Sequence, residues 1–244
     1  MAGDHVDAAL ALLGPEATHA DAERCLRWAE WTPCGAGDWA IALAAPQGGV
    51  VARISPFDPV GPFTARLYAE ASGTGLVPRL FAHRRLAGGG DLQFLERLDA
   101  VPQEDAVAFL AALAGPEPGF EELAAVVTDV HAAALCELPW CGPLDSNPAN
   151  VMRTSDGRLV LIDPYYADGP ALYATARGNP DLVVARIPAD ERRYLTEIPL
   201  AGSGPWGPGE QDSLRALLQD ADRRRLARSE TRATAGARPR RTSP

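Results

Sequence analysis

The sequence predicts an α+β fold of two lobes, a small antiparallel β-sheet lobe followed by a mainly helical lobe. Three observations carry this. Up to about Leu98, short apolar runs are separated by Gly, Pro and Asp turns, as strands are. Beyond that point the apolar period lengthens from two to about 3.6, the helical repeat. Late in the chain, Val151-Met152-Arg153 and Leu159-Val160-Leu161-Ile162 flank an Asp156-Gly157 turn, which returns a hairpin inside the helical part.

Taken in order, two helices precede the small lobe, the second with Thr18 and Asp21 spaced as a capping box. Strands follow over Thr32–Gly37, Ala40–Ala45 and Val50–Ile54, with a Pro46-Gln47-Gly48-Gly49 turn between the last two. Phe63–Glu70 reads as a short helix ended at Gly73. Val77–His83 and Asp91–Leu98 read as two more strands around Gly88-Gly89-Gly90. Val107, Leu110 and Leu113 line one face of a helix over about 103–114. Phe120, Leu123, Val127, Val130 and Ala134 line another over about 119–135. Residues 192–197 read as a short helix, 202–209 as a loop, and Leu214, Leu217, Leu218 and Ala221 mark a final amphipathic helix. The expected organisation is residues 1–98, 99–222, and a tail over 223–244.

Composition limits the function classes. With 46% hydrophobic residues in 244, the chain can bury a sizeable core. It has no long apolar stretch and opens on polar residues, so neither a signal peptide nor a membrane span is expected, and a cytoplasmic location follows as an expectation. Cys25, Cys34, Cys136 and Cys141 are too sparse for a disulfide framework. His131, Cys136 and Cys141 lack a nearby fourth ligand, and packing explains them better than zinc. All 23 basic residues are Arg. From Arg223 onward the tail carries +7, leaving −16 on residues 1–222 of the overall −9. The tail reads as solvated and disordered, and the acidic body offers no nucleic-acid surface.

The densest chemical signal is Asp145-Ser146-Asn147-Pro148-Ala149-Asn150, followed by the hairpin that ends on Asp163. Asp, Asn, Pro and Ser form turns for purely local reasons. An apolar strand that closes on a carboxylate is different, because it places a charge beside a core. The spacing lets Asp145, Asn150 and Asp163 converge on one point. Phosphoryl transfer requires such a set: one carboxylate orients the attacking hydroxyl, while an amide oxygen and a second carboxylate hold Mg²⁺. Upstream, Gly35-Ala36-Gly37 between two strands would let backbone amides approach phosphates with no Cβ in the way.

These motifs resemble the catalytic and metal-binding loops of the kinase-like superfamily, nearest to its aminoglycoside and choline phosphotransferase branch. The resemblance implies a bilobal protein-kinase-like fold, with ATP and Mg²⁺ as cofactors and a hydroxyl of a small molecule as acceptor. A minimal protein kinase acting on a protein hydroxyl, and a pseudokinase serving as a binding module, are the alternatives. Asp145 is then catalytic, and Asn150 and Asp163 bind the metal. Gly35 and Gly37 cover the phosphates. Arg53, in Val51-Ala52-Arg53-Ile54, stands where the family usually has Lys and would hold the α- and β-phosphates. Its expected partner is Glu70, the sole acidic residue between Asp58 and Asp91. Phe94-Leu95-Glu96-Arg97-Leu98 resembles the hinge, placing Glu96 and Leu98 beside adenine. Two departures stand out. Pro143 replaces the His or Tyr expected two residues before Asp145, and Pro164-Tyr165-Tyr166 follows Asp163 in place of Phe-Gly. Asp168 and Asp181 are further candidates for attracting a cationic acceptor.

Overall fold

Two helices lead into the first lobe of the computed structural model, which describes residues 2–115, 117–197 and 206–236. They are α1 (Ala2–Ala11) and α2 (His19–Trp28). The capping box forms as predicted: the Thr18 hydroxyl accepts from the Asp21 amide, and the Asp21 carboxylate accepts from the Thr18 amide at 3.0 Å. Strands β1 (Thr32–Ala36), β2 (Ile41–Ala44), β3 (Val50–Ser55), β4 (Leu80–Leu86) and β5 (Gly90–Glu96) then build one antiparallel sheet in the order β1-β2-β3-β5-β4. Helix α3 (Gly61–Glu70) is inserted between β3 and β4.

The pleat sorts this sheet into two faces. Val50, Ala52, Ile54, Leu92 and Phe94 are buried in one core with Leu26 of α2 and Val6 and Ala9 of α1. Because side chains alternate along a strand, Arg53, Asp91 and Gln93 point the other way, toward α3. There the Gln93 amide donates to the Gly61 carbonyl at 3.2 Å, and a Cβ on Gly61 would lie 2.5 Å from the Asp91 carboxylate. Glycine at the start of α3 is therefore what lets the helix approach a buried acid.

The large sheet ends at Glu96, and β6 (Leu98–Ala100) starts a second, three-stranded sheet with β7 (Val151–Thr154) and β8 (Leu159–Leu161). The Asp156-Gly157 turn closes the β7–β8 hairpin, with Gly157 at φ 93°. Hydrogen bonds from the Thr154 hydroxyl and then from Arg158 pull the Asp156 carboxyl down to about 2. Helices α4 (Gln103–Ala114) and α5 (Glu121–Glu137) pack on α3 and on this small sheet, burying Leu67, Phe109, Leu123, Val127, Val130, Val151 and Leu161 together. Helices α6 (Gly169–Gly178), α7 (Pro180–Arg186) and α8 (Glu210–Gly236) form a third core around Leu172, Val183, Leu195, Leu214 and Leu218. The α+β, two-lobed architecture is the one the sequence predicts.

Three expectations are corrected. Helix α4 turns Ala106, Phe109 and Ala112 into the core, whereas Val107 is 49% exposed and Leu110 and Leu113 are half-buried. The stretch from Arg223 is not a free tail, since α8 continues to Gly236. Arg224 and Arg228 ion-pair with Asp181 at 2.9 Å and Arg225 donates to the Val184 carbonyl, so three of these arginines contact α7. Over the expected 192–197 helix, Arg192 ends a short 3₁₀ segment from Asp190 and residues 193–197 form turns and a bend. Residues 202–205 of the expected 202–209 loop and residues 237–244 lie outside the described residues.

The segment at 188–197 also joins the lobes. Arg85 of β4 pairs with Glu191 at 2.6 Å, and the Tyr194 amide donates to the Gly88 carbonyl. Gly89, at φ 90°, packs so tightly that a Cβ would sit 1.8 Å from the Glu191 carbonyl oxygen. Above it, His19 contacts Glu197 at 3.4 Å and meets the Tyr194 ring edge-on.

Candidate active site

Strand parity brings Arg53 into the space between the sheet and the hairpin, where two carboxylates meet it. Nη1 donates to Asp58 Oδ2 at 2.9 Å, and Nε lies 3.3 Å from Asp163 Oδ2. The expected partner, Glu70, is elsewhere: it is on the outer face of α3, paired with Arg66 one turn back at 2.7 Å. The difference is geometric. Glu70 sits at the far end of α3, while Asp58 follows β3 directly in the turn that starts the helix. Asp58 is 2% exposed, and its other oxygen accepts from the Val60 and Gly61 amides at 3.1 and 2.8 Å. One carboxylate thus both starts α3 and fixes Arg53. Burial alone would depress the Arg53 guanidinium, but Asp163, Asp58 and Asp91 around it hold it above its ordinary value. Burial pushes the Asp58 carboxyl up, with Arg53 opposing and Asp91 adding to the rise.

Backbone ties assemble the remaining three residues. The Ile162 amide donates to the Asn150 carbonyl at 2.7 Å, and the Asp145 amide donates to the Pro164 carbonyl at 2.9 Å. Between them, the Asn150 side-chain amide donates to the Asp163 carbonyl at 3.2 Å. Both ends of the 145–150 loop are therefore stitched to the residues flanking Asp163. Asp163 itself adopts φ 41°, the left-handed region that Asp enters more readily than most side chains, and its amide donates to the Tyr68 hydroxyl at 3.3 Å. Tyr68 is buried in α3, and that burial, with Asp163 nearby, keeps its phenol protonated.

The departures at Pro143 and Tyr165 are compensated structurally. Instead of a side chain at 143, the Gly142 amide donates to the Tyr166 carbonyl, and Cys141 forms an antiparallel bridge with Ala167. His131 of α5 places Nε2 2.8 Å from the Gly142 carbonyl and stacks on Tyr165 with rings 4° from parallel. The Tyr165 hydroxyl donates to the Val127 carbonyl at 3.0 Å. His131 is thus a support for the loop, in keeping with its structural reading. Tyr68 and Asp58 escaped sequence reasoning; Asp58 was visible only as the edge of the window that singled out Glu70.

The other candidates separate. Gly35 faces Ala42 across β1–β2, and Gly37 donates to the Ala40 carbonyl in the tip turn with open space around it. Trp39 in the same tip lies 6.3 Å from Phe57. Glu96 sits at the crossover between the two sheets, where its carboxylate accepts from the Arg79 amide at 2.8 Å and pairs with Arg158 at 3.3 Å. Its own amide donates to Arg79, and that of Arg97 to Gly49, so both are already committed. Leu98 opens β6 in register with Thr154. Asp168 caps α6 by accepting from the Ala171 amide, and Asp181 is neutralised by Arg224 and Arg228. Neither lies free to draw a cationic acceptor.

The donor set suits a hard divalent ion shared with a ligand. With its NH₂ on the Asp163 carbonyl, Asn150 keeps Oδ1 available. Arg53 approaches only Oδ2 of Asp163, and Asp145 accepts the Asn147 amide only at Oδ1. Among the described residues no group of three His, Cys, Asp or Glu side chains could hold a metal on its own. An ion here would need further oxygens from outside the protein, which is how Mg²⁺ binds phosphates.

No family model and no curated protein sequence matches the chain. Among solved structures it is similar to the PknI kinase domain of Mycobacterium tuberculosis, at 15% identity over 75% of this chain and 80% of that one, with a TM-score of 0.28. It is also similar to the choline kinase LicA of Streptococcus pneumoniae, at 13% identity over 77% and 80%, with a TM-score of 0.27. A pseudokinase solved in its apo form is similar at 11% identity over 78% and 81%, with a TM-score of 0.28. These TM-scores are low, and the reading of the site rests on its own geometry.

Proposed function

We propose that this protein is a kinase-like phosphotransferase that moves the γ-phosphoryl of ATP to a hydroxyl of a small molecule. The observation that carries the reading is the stitching of Asp145 and Asn150 to the residues around Asp163 while Asp163 engages Arg53. In it, Asp145 orients the acceptor hydroxyl and takes its proton. Asn150 Oδ1 and Asp163 would hold Mg²⁺, which when bound neutralises charge on the transferring phosphoryl. Arg53, kept cationic by its carboxylates, grips the phosphates, and the Gly35–Gly37 segment leaves room above them. Asp58 keeps the guanidinium in place when Asp163 turns to the ion.

A thermal shift with ATP, with and without Mg²⁺, tests this. Ligand at about 100 times its Kd stabilises a native state by about 2.7 kcal/mol. A Mg²⁺-dependent rise in midpoint that Asp163→Ala removes is the expected result, and no shift at saturating ATP would sink the reading. The pairing of Arg53 with two carboxylates favours one other reading, a nucleotide-binding module without turnover. Stabilisation by Mg–ATP with no ADP formed from any hydroxyl acceptor would select it.

A further inference from the structure

We infer that the acceptor is a hydroxyl compound with an apolar body and no negative charge, seated in a groove between α4, α5 and the 144–146 loop. The inference rests on the phosphotransferase reading and assigns its acceptor site. The groove encloses about 620 Å³, within the range of small-molecule sites, and Asp145 lies on its wall. Leu110 and Leu113 of α4, Ala124 and Ala125 of α5, and Leu144 and Pro164 are among its apolar lining.

The sequence already contains the reason. Helix α4 is apolar on two sides. Ala106, Phe109 and Ala112 fill the core, while Leu110 and Leu113, of the stripe that periodicity identifies, pack on its edge and stay half-buried. Leu110 and Leu113 line the groove, and Leu144, immediately before Asp145, is 43% exposed beside them. An apolar stripe kept half in water next to a catalytic carboxylate is used when a ligand covers it. Charge narrows the class. Glu121, Asp129 and Asp145 are on the walls and no basic residue is, so an anionic compound would be repelled. The two other acids considered for drawing an acceptor, Asp168 and Asp181, are spent on a helix cap and an ion pair.

In the step implied, the acceptor oxygen forms a bond to Pγ of ATP as the bond from Pγ to the bridging oxygen breaks. ADP leaves with that electron pair, and the hydroxyl proton passes to Asp145 and then to water. No other reactant is required.

The test compares 1-octanol with glycerol, both uncharged alcohols, by ADP release at saturating Mg–ATP and by thermal shift of the full chain without nucleotide. We expect octanol to raise the midpoint and to be turned over at least tenfold faster than glycerol at equal concentration. In Ala125→Trp, which fills the groove from an exposed helix position, and in Leu113→Glu, KM for octanol should rise at least tenfold. Stabilisation by Mg–ATP with equal use of both alcohols, with use of neither, or with octanol kinetics unmoved in both variants, overturns the groove assignment and leaves phosphotransfer standing. Stabilisation by octanol with none by Mg–ATP overturns phosphotransfer, and the acceptor assignment with it.

Discussion

Arg53 and Asp58, five residues apart on one strand and the turn after it, form a buried ion pair at 2.9 Å. The cation of the site is thereby positioned by the loop that begins α3, and not by a residue along the helix.

Removing Asp58 leaves the Arg53 charge with only Asp163 and Asp91 around it and the Val60 and Gly61 amides without their carboxylate. Asp58→Asn should therefore destabilise the fold by about 3 kcal/mol, whereas Glu70→Gln, which breaks an exposed pair one helical turn apart, should change it by less than about 0.5 kcal/mol. Urea denaturation of both variants measures the contrast. Equal effects would mean that the Arg53–Asp58 pair contributes no more to stability than an exposed one.

Arg53→Lys keeps the charge but loses the fork that reaches Asp58 with Nη1 and Asp163 with Nε. A single ammonium must share one nitrogen between carboxylates that the guanidinium meets with two. The Mg–ATP stabilisation should weaken at least tenfold in apparent Kd, with the fold retained. An unchanged titration would show that Arg53 is structural only.

Gly89 and Gly157, two of the glycines with left-handed backbone, should respond differently to alanine. At Gly89 a Cβ meets the Glu191 carbonyl oxygen, and at Gly157 it meets open space. Gly157→Ala should cost about 1 kcal/mol, the intrinsic penalty of that backbone region. Gly89→Ala should cost about 3 kcal/mol or more, since the 188–197 segment must also move. Similar losses would mean that the contact between the lobes contributes little.

His19 supplies a pH test. Burial depresses its pKa, with Glu197, Glu23 and Asp21 pulling it back only in part, and its Nδ1 is buried without a partner. Below the ordinary value of 6.5 the unfolded chain binds the proton more readily than the folded one. This residue's contribution is thus complete above pH 6.5 and is lost as pH falls toward its depressed folded-state value. The drop in Tm between pH 7.5 and 5.5 should be smaller in His19→Gln than in the parent. A larger drop would reverse the sign assigned here.

What the sequence by itself determined is everything that depends on neighbours along the chain. Alternation marked the strands and so put Arg53 on the face opposite Ala52 and Ile54. The Thr18–Asp21 spacing set the start of α2, and the Asp156-Gly157 turn fixed where the hairpin delivers Asp163. Tertiary structure alone decided which charges meet. Glu70 and Asp58 are equally acidic in the sequence, yet only the turn after β3 brings a carboxylate back to Arg53, while the far end of α3 points Glu70 to solvent. The same holds for α4: its period gave a helix but could not say which of two apolar stripes enters the core, because that choice is made by the helix packed against it. Arg224, Arg225 and Arg228 read as part of a solvated tail by composition, and it took Asp181 and the Val184 carbonyl, more than forty residues upstream, to hold them along α8. Local periodicity is written into the chain, but ion pairs and packing faces depend on distances that only folding sets.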